Sequence, residues 1–372
     1  MLTINFKDRT MPLVAHNQLP AFERLRREEG QTILRPGYAI QQDIRTLHIG
    51  LLNMMPDAAL AVTERQFLRL IGESNAIIQF HVHLFTLPVF PRSEKAMEHI
   101  NTYYESFEKI KEEGLDALII TGANVAKANL ADEIFWESLK EVINWATENV
   151  PSTLCSCLAT HAALELQHQQ KRYRLPYKRW GVYTHYVAQQ HPLVNGINTQ
   201  FKVPHSRYNQ IDREQFEAAN LLVLVESKKA GVHLAVSADG IRTVYFQGHP
   251  EYDAISLVKE YKREVLRFIA GELDDYPPFP DNYFDRYTKA LFNEYQDKIN
   301  NAVASGKEIP EFPEKLVLKH LHNTWHDTGA AILANWMGLV YKITHHDRKK
   351  VLMDGLDPND PLGLKNTSTS MT

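Results

Sequence analysis

The sequence predicts an α/β fold built on a doubly wound, mainly parallel β-sheet, and three observations support this prediction. Short apolar runs that are rich in β-branched residues are typical of buried strands. Amphipathic stretches with helical periodicity lie between these runs, as in chains of βαβ units. The 372 residues are 44% hydrophobic, which is enough apolar surface to bury a large core.

The predicted elements follow one another in the order that such a sheet requires. The strands are Leu47–Leu52, Ile77–Leu84, Ala117–Ile120, Ser152–Cys155 and Leu221–Val225. The helices are Thr63–Ile71, Lys95–Lys111, Ile134–Glu148 and Ala159–Gln167. A β-hairpin is predicted from Val232–Val236 and Thr243–Phe246, because Asp239-Gly240 between them favours a tight turn.

A proline-rich break at Asp274–Asp281 ends the predicted core. It separates an α/β catalytic domain of residues 38–272 from a helical extension of residues 273–350 that we expect to pack on the core. Within the extension, helices are predicted near Tyr287–Ala304 and Thr328–Tyr341. Residues 1–37 are predicted to form an N-terminal extension, and residues 351–372 a disordered tail.

Charge and composition exclude several classes of function. The net charge of -4 and the pI near 6.5 give no basic surface for nucleic acid or for an anionic membrane. No apolar run reaches the roughly 18 residues that a membrane span needs, and the first residues lack the pattern of a signal peptide. Because the two cysteines cannot form a disulfide framework, we expect a cytoplasmic protein.

The segment Ser152–His161 carries the strongest functional signal. It combines a buried strand, a break at Cys157 and a helix that begins near Ala159. A nucleophile elbow requires this tight turn, with small residues two positions on either side, here Cys155 and Ala159. A helix N-terminus favours the thiolate, and the backbone N–H of Leu158 is expected to donate to an oxyanion hole.

Gly248-His249-Pro250-Glu251 supplies the two partners that a catalytic thiol requires. His249 would act as the base, and Glu251 would fix its tautomer. A lone buried cysteine is usually a small core residue, but the elbow together with this motif favours a cysteine-nucleophile enzyme. His161, one turn after Cys157, fits a place in the site and a capping or surface position equally well.

Two basic clusters are candidates for substrate binding. Pro204–Tyr208 is predicted to be a loop, in which the Arg207 guanidinium suits bidentate binding of a carboxylate. A structural salt bridge is the alternative for Arg207. Arg263 lies on a predicted helix after the His-Pro-Glu motif and points either into the site or to solvent.

The sequence predicts no metal site. His81 and His83 share one strand face, but no acidic residue or cysteine lies near them in the sequence. His345-His346 and the Cys155-x-Cys157 pair likewise lack a second group of ligands at suitable spacing. The histidine pairs are therefore interpreted as structural.

With these residues assembled, the chain resembles the homoserine O-acyltransferase family of methionine biosynthesis. The resemblance runs from about Leu47 to Tyr341 as short motifs in the family's order. They are Asn53–Pro56, Thr63–Leu70, Ile119–Ala123, Ser152–Leu154 with Cys157, Pro204–Arg207, Gly248–Asp253, Glu260-Tyr261 with Arg263, Trp325 and Asn335-Trp336. The resemblance implies a flavodoxin-like, class I glutamine-amidotransferase-like fold with N- and C-terminal extensions, and a homodimer.

The resemblance also implies a mechanism. Cys157 would take an acyl group from a coenzyme A thioester, and an acceptor hydroxyl would then attack the acyl-enzyme while His249, held by Glu251, removes its proton. Acyl-CoA is then a co-substrate, the partners are small molecules, and neither a metal nor a permanently bound cofactor is implied. The side chains that the resemblance places against the substrates are Lys178, Ser206, Arg207 and Arg263.

The chain departs from the family pattern near the site. Leu158 and His161 stand where the family usually has tryptophan and glutamine, and Asp57-Ala58 stand where it has lysines. At the position that separates acyl donors, the family's glutamate goes with acetyl-CoA and its glycine with succinyl-CoA; this chain has Ala126. Because alanine is small and uncharged, it favours succinyl-CoA as the donor, and the resemblance implies homoserine as the acceptor. Acetyl-CoA or serine as substrate, a hydrolase of the amidotransferase type and an inactive binding protein are the alternatives.

Overall fold

The computed structural model of the chain describes residues 13–31, 33–40, 44–74 and 78–365. The strands are β1 Leu13–Val14, β2 Ile33–Leu34, β3 Thr46–Leu52, β4 Gln79–Phe85, β5 Ala117–Ile120, β6 Ser152–Ser156, β7 Tyr173–Val187, β8 Gln200–Gln210, β9 Leu222–Ser227, β10 Gly231–Val236 and β11 Thr243–Phe246. The helices are α1 Pro20–Glu28, α2 Pro36–Ala39, α3 Asp57–Gly72, α4 Glu94–Tyr103, α5 Phe107–Glu113, α6 Trp136–Asn149, α7 Leu158–His168, α8 Arg213–Ala218, α9 Ser256–Ile269, α10 Arg286–Ser305, α11 Glu314–Val317 and α12 His326–Ile343.

The described strands form one sheet in the order β2-β1-β4-β3-β5-β6-β11-β10-β9-β7-β8. Along this order, every pairing from β2 as far as β11 is parallel. Every pairing from β11 on to β8 is antiparallel. Apolar residues of α1, α3 and α12 pack on one face, and those of α5, α6 and α7 pack on the other. The predicted α/β fold with a mainly parallel, doubly wound sheet is confirmed, as is the antiparallel pairing of β10 with β11.

Two predicted elements differ from the observed ones. The predicted helix Lys95–Lys111 is two helices, because Ser106 caps a new helix by accepting a hydrogen bond from the backbone N–H of Lys109 (3.2 Å). The predicted loop Pro204–Tyr208 lies inside β8, where it pairs with β7 in an antiparallel ladder. The first residue of the strand predicted at Ile77 lies outside the described residues.

The segments that flank the central domain add to the sheet and to the core. β1 extends the sheet beyond β4 through the pairing of Leu13 with Phe80. Trp336 of α12 is buried on the core and donates from its indole N–H to the hydroxyl of Ser152 (2.7 Å). In place of a disordered tail from residue 351, residues 351–365 form turns, and the side chains of Leu352, Leu356 and Leu362 pack on the core. Residues 366–372 lie outside the described residues, and no described helix is both long and apolar enough to cross a membrane.

Candidate active site

A tight turn between β6 and α7 presents Cys157. The backbone at Cys157 has φ +53° and ψ -106°, an uncommon conformation for a residue with a side chain. The N–H of Cys157 donates to the carbonyl of Phe246 on β11 (2.7 Å). The hydroxyl of Thr160 lies 2.8 Å from the carbonyl of Cys155 and 2.9 Å from that of Phe246. These bonds fix the turn at the end of the parallel strands, which is the geometry of a nucleophile elbow.

Small residues surround this turn, as the sequence predicts. Cys155 and Ala159, two positions on either side of Cys157, are fully buried in the core. Gly122 follows β5, and a Cβ atom placed on it would lie 3.6 Å from the Cβ of Cys157. Burial raises the pKa of the Cys155 thiol to about 12, so this cysteine stays protonated and belongs to the core.

His249 and Glu251 form a buried pair just beyond β11. The Nδ1 atom of the His249 imidazole lies 2.7 Å from Oε1 of Glu251. The backbone N–H of His249 donates to the backbone carbonyl of Pro204 (2.8 Å). The ring of Tyr252 stacks on the imidazole with 4.4 Å between ring centroids. Because Glu251 occupies Nδ1, the other ring nitrogen, Nε2, is the atom left for proton transfer; it is buried, and the Cys157 side chain is the hydrogen-bond partner that acts on the imidazole besides Glu251.

The charges around His249 favour its protonated form. Burial by itself lowers the pKa of His249, but the charges of Glu251 and of the Cys157 thiolate outweigh burial and hold this pKa well above its ordinary value. His249 therefore carries a proton beside the sulfur of Cys157. Such an imidazolium next to a thiol is typical of a reactive cysteine.

Cys157 and His249 both line a cavity of about 540 Å³. Its wall carries more positive than negative side chains, which suits a substrate with several anionic groups. The cations are Arg172, Arg174, Lys178, Arg207, Arg263 and Arg267, and the carboxylates are Glu260 and Glu264.

Buried histidines hold Arg207 at the floor of the cavity. Nδ1 of His185 lies 2.9 Å from the carbonyl of Tyr183, so it must carry the proton and leave Nε2 as an acceptor. Nε2 of His205, 3.0 Å away, then donates to it, and Nδ1 of His205 accepts from the guanidinium of Arg207. Burial lowers the pKa of Arg207 to about 10, and the negative charge of Cys157 acts in the opposite direction. Arg207 therefore remains a cation at neutral pH. Its guanidinium is bonded to neutral groups, and the structural salt bridge that was the alternative does not form among the described residues.

Glu260 connects Lys178 and Ser206 at one side of the cavity. Its Oε2 atom accepts hydrogen bonds from the Ser206 hydroxyl (2.6 Å) and the Lys178 ammonium (3.0 Å), and its Oε1 atom accepts one from the Tyr252 hydroxyl (2.8 Å). Burial would raise the pKa of Glu260, but Lys178 and these hydrogen bonds lower it overall, so the carboxylate is ionised. Sequence reasoning noted Glu260 and Tyr252 only as members of motifs, because nothing in their spacing shows that they meet.

The other predicted site residues lie at different distances from the centre of the cavity. Arg263 lies at its rim, with its side chain 61% exposed and paired with Glu264 (3.0 Å). Lys178 is largely buried, and its ammonium lies 4.2 Å from the ring centre of Trp180. Ala126 is exposed and outside the lining, whereas the lining includes the preceding residues 124–125.

His161 lies at the floor of the cavity and is neither a surface nor a capping residue. Its Nε2 atom lies 3.0 Å from Oε1 of Gln247, and the ring is buried. Burial lowers the pKa of His161 to about 3, so the ring is neutral. Since its partner is an amide rather than Cys157 or Glu251, it supports the floor of the cavity and is not bonded to the predicted catalytic residues.

Sequence reasoning missed Arg172. Its guanidinium lines the cavity and donates to the carbonyl of Lys127 (3.3 Å), while its buried Nε atom has no hydrogen-bond partner among the described residues. Burial lowers the pKa of Arg172, and the charges of Glu133, Glu165 and Cys157 oppose this effect. Arg172 thus adds a cation to the wall of the cavity that Cys157 lines.

Comparisons of the sequence with a family profile and with known proteins agree on one family. The family profile described as homoserine O-succinyltransferase matches residues 12–346. The homoserine O-succinyltransferase of Allochromatium vinosum is 63% identical over 355 residues, which cover 95% of this chain and 99% of that protein. That of Nitrosococcus oceani is 61% identical over 356 residues, with coverages of 95% and 99%. Among solved structures, a glutamine amidotransferase from Thermotoga maritima is similar over 79% of this chain and 97% of its own, with a TM-score of 0.43 and 12% identity.

Proposed function

The chain belongs to the homoserine O-succinyltransferase family, and on this premise we propose that it transfers a succinyl group from succinyl-CoA to the hydroxyl of L-homoserine through an acyl-cysteine intermediate. The transferase activity and its place in methionine biosynthesis follow from the family. The coenzyme A donor and the two-step mechanism are our proposal. The observation that carries them is the convergence of Cys157 with the His249–Glu251 pair on a cation-lined cavity.

In the first step, the Cys157 thiolate attacks the thioester carbonyl of the donor. The N–H of Leu158, the first residue of α7, donates to the oxyanion that forms. The tetrahedral intermediate breaks the bond to the CoA sulfur, and the proton on Nε2 of His249 passes to the departing CoA thiolate. The products are the succinyl thioester of Cys157 and free CoA, with His249 left neutral.

In the second step, His249 acts as the base. Once Cys157 is a neutral thioester, its charge no longer raises the pKa of His249, so this pKa falls and the ring that gave its proton to CoA is more readily kept neutral, with Glu251 still bonded to Nδ1. Nε2 takes the proton of the acceptor hydroxyl as its oxygen attacks the acyl carbonyl, and the C–S bond to Cys157 breaks. The thiolate is regenerated beside an imidazolium, and the ester is released.

The charged wall of the cavity offers complementary places for the substrates. We propose that Arg207 and Arg263 bind the carboxylate of the amino acid, and that Ser206 and Lys178, bonded to the Glu260 carboxylate, border the reacting groups. Arg172 is the cation placed to meet the far carboxylate of the succinyl group, since it lies beside the loop that contains Ala126. We also propose that the enzyme is a cytoplasmic homodimer, as the family resemblance implies.

A donor-by-acceptor matrix tests the proposed function. Succinyl-CoA and acetyl-CoA are each incubated with homoserine, with serine and without acceptor, while free CoA and acylated amino acids are measured. We expect O-succinylhomoserine as the main product and CoA release at steady state only when an acceptor is present. Steady CoA release without any acceptor, and without an acylated amino acid, would instead show the hydrolase.

Ala126→Glu is expected to shift the donor preference toward acetyl-CoA by about 10-fold in the ratio of kcat/KM values, because a new carboxylate repels the carboxylate of the succinyl group but not an acetyl group. The Ala126 N–H donates to Glu133 (2.7 Å), so the side chain at this position sits on an anchored loop. The ratio is measured with both donors at saturating homoserine. Ala128→Glu, on the same exposed loop, is the matched control and should keep the wild-type ratio. An equal ratio in Ala126→Glu and wild type would assign donor choice to another residue.

A further inference from the structure

Three histidines meet on one face of the sheet, outside the lining of the active-site cavity. In the parallel register of β3 and β4, His48 pairs with His81, and Gly50 pairs with His83. Positions 48, 81 and 83 therefore project from the same face. We call His48, His81 and His83 the histidine cluster.

The ring nitrogens of the cluster lie close enough to share one ion. Nδ1 of His48 lies 2.8 Å from Nε2 of His83, and one nitrogen from each of the three rings lies within 4.8 Å of the other two. Three nitrogens at about 2.0–2.1 Å from a tetrahedral zinc ion lie about 3.4 Å apart. The observed nitrogen separations, from 2.8 Å to at most 4.8 Å, lie on either side of that spacing.

Glu105 orients His83 as a carboxylate does behind a metal ligand. Nδ1 of His83 lies 3.0 Å from Oε1 of Glu105, so Nδ1 carries the proton and Nε2 keeps its lone pair toward the cluster. The carboxylate lies 22 residues away in the sequence, in the connection between α4 and α5. For this reason the expectation from the sequence that no acidic partner lies near these histidines is wrong.

The surroundings of the cluster suit a bound cation and give it a path to solvent. Glu113 is a second carboxylate within ligand distance of His83 and Glu105. Two cations lie near the cluster: Lys109 pairs with Glu105 and Glu113, and Arg348 donates to the carbonyl of Glu113 (3.1 Å) while its charge still acts on His48 and His81. The rings of His48 and His81 are only partly buried, so an ion from solvent can reach them.

We propose that the histidine cluster binds one divalent first-row transition ion, Zn²⁺ above all, with Glu105 as the carboxylate that orients His83. Imidazole is a donor that this class of ion prefers. Binding exchanges the hydrogen bond between His48 and His83 for two bonds to the ion, and the single proton of the neutral His48 ring shifts from Nδ1 to Nε2. The ion would tie β3 and β4 to the α4–α5 connection and take no part in acyl transfer.

Titration of the chelator-treated, full-length protein with Zn²⁺ by calorimetry, and with Co²⁺ by visible absorption, tests this proposal. We expect about one ion per chain and a rise of the melting temperature with Zn²⁺, since an ion that binds only the folded state stabilises it. His48→Asn and His81→Asn should each abolish the site or weaken it at least about 10-fold, and Glu105→Gln should weaken it by about 10- to 100-fold. Acyl-transfer activity of these variants without added metal should equal that of the wild type.

Two matched variants separate this site from other ion-binding groups. His320→Asn removes a histidine that pairs with Asp285 (3.2 Å) outside the cluster, and it should bind the ion as the wild type does. Cys157→Ala removes the thiol of the active site and should also leave the ion affinity unchanged. Failure of the wild type to bind either ion, or loss of binding in Cys157→Ala with retention in both cluster variants, would overturn the proposal. Circular dichroism of each variant ensures that a loss of binding reflects lost ligands in a folded chain.

Discussion

Replacing Cys157 with serine is expected to lower kcat by at least about 10³-fold and to leave no transferable succinyl group on the enzyme. A thiolate is the attacking group of the proposed first step, and a serine hydroxyl is far less acidic than a thiol. Serine differs from cysteine by one atom, so it fits the turn at φ +53° without new contacts. Intact-protein mass spectrometry after exposure to succinyl-CoA alone, together with CoA release in the full assay, measures both effects.

Cys155→Ala is the matched control for this experiment, because it removes the other cysteine of the chain. Cys155 is buried in the core and its thiol stays protonated, so the variant should still acquire one succinyl group and lose little activity. An adduct that persists in Cys157→Ser and disappears in Cys155→Ala would move the nucleophile to Cys155. Absence of an adduct in the wild type, with full turnover, would exclude the two-step mechanism in favour of direct transfer between substrates.

The central strands and the elbow could be predicted because local sequence determines them. Two strands are continuous runs of apolar or small residues that are buried on both faces of the sheet: Ala117–Ile120 and Ser152–Ser156. In the sequence, such a strand lacks the alternation of polar and apolar residues that marks a strand with one exposed face. The turn at Cys157 follows from a buried strand, a helix pattern and small residues within ten positions. Both signals need no knowledge of distant residues.

The β7–β8 ladder could not be predicted in the same way. Tyr173–Val187 carries charged and aromatic residues on a ribbon that is partly exposed, and both strands contain proline, which argues against a strand interior. Their pairing is set by contacts such as Trp180 with Ser206, which are far apart in the sequence. The prediction of a loop at Pro204–Tyr208 is therefore wrong. The cation and the hydroxyl groups of this segment nevertheless line the cavity.

The same limit applies to the site. His249 and Glu251 are two residues apart, so their partnership can be predicted from the motif. Three separate elements supply the residues that meet at Glu260: Lys178 lies on β7, Ser206 on β8 and Glu260 on α9. Their hydrogen bonds form only when α9 packs against the two edge strands. Glu105 behind the histidine cluster is a further case, because the carboxylate and His83 meet only in the folded chain.

Glu251→Gln is expected to lower kcat by about 10³-fold and to move the alkaline limb of the pH profile to lower pH. The charge of Glu251 helps to hold the pKa of His249 well above its ordinary value, whereas burial lowers it. Without this charge the pKa of His249 falls, so the imidazolium that must protonate the CoA thiolate is lost at a lower pH. An amide can also present its NH₂ group to Nδ1 and so select the wrong tautomer. The profile of kcat/KM for succinyl-CoA against pH measures the shift.

Glu73→Gln provides the matched comparison for this pH effect. Glu73 pairs with His326 (2.8 Å) outside the cavity, and its hydrogen bond is the main cause that raises the pKa of His326. The substitution therefore removes the same charge from a similar pair of residues. Its kcat and pH profile should equal those of the wild type. If Glu251→Gln lowered kcat while the alkaline limb stayed in place, Glu251 would act by positioning the ring alone. Glu251 is the only carboxylate among the described residues that is bonded to the His249 imidazole. If neither kcat nor the alkaline limb changed, the proposed His249–Glu251 pair would therefore have no part in the reaction.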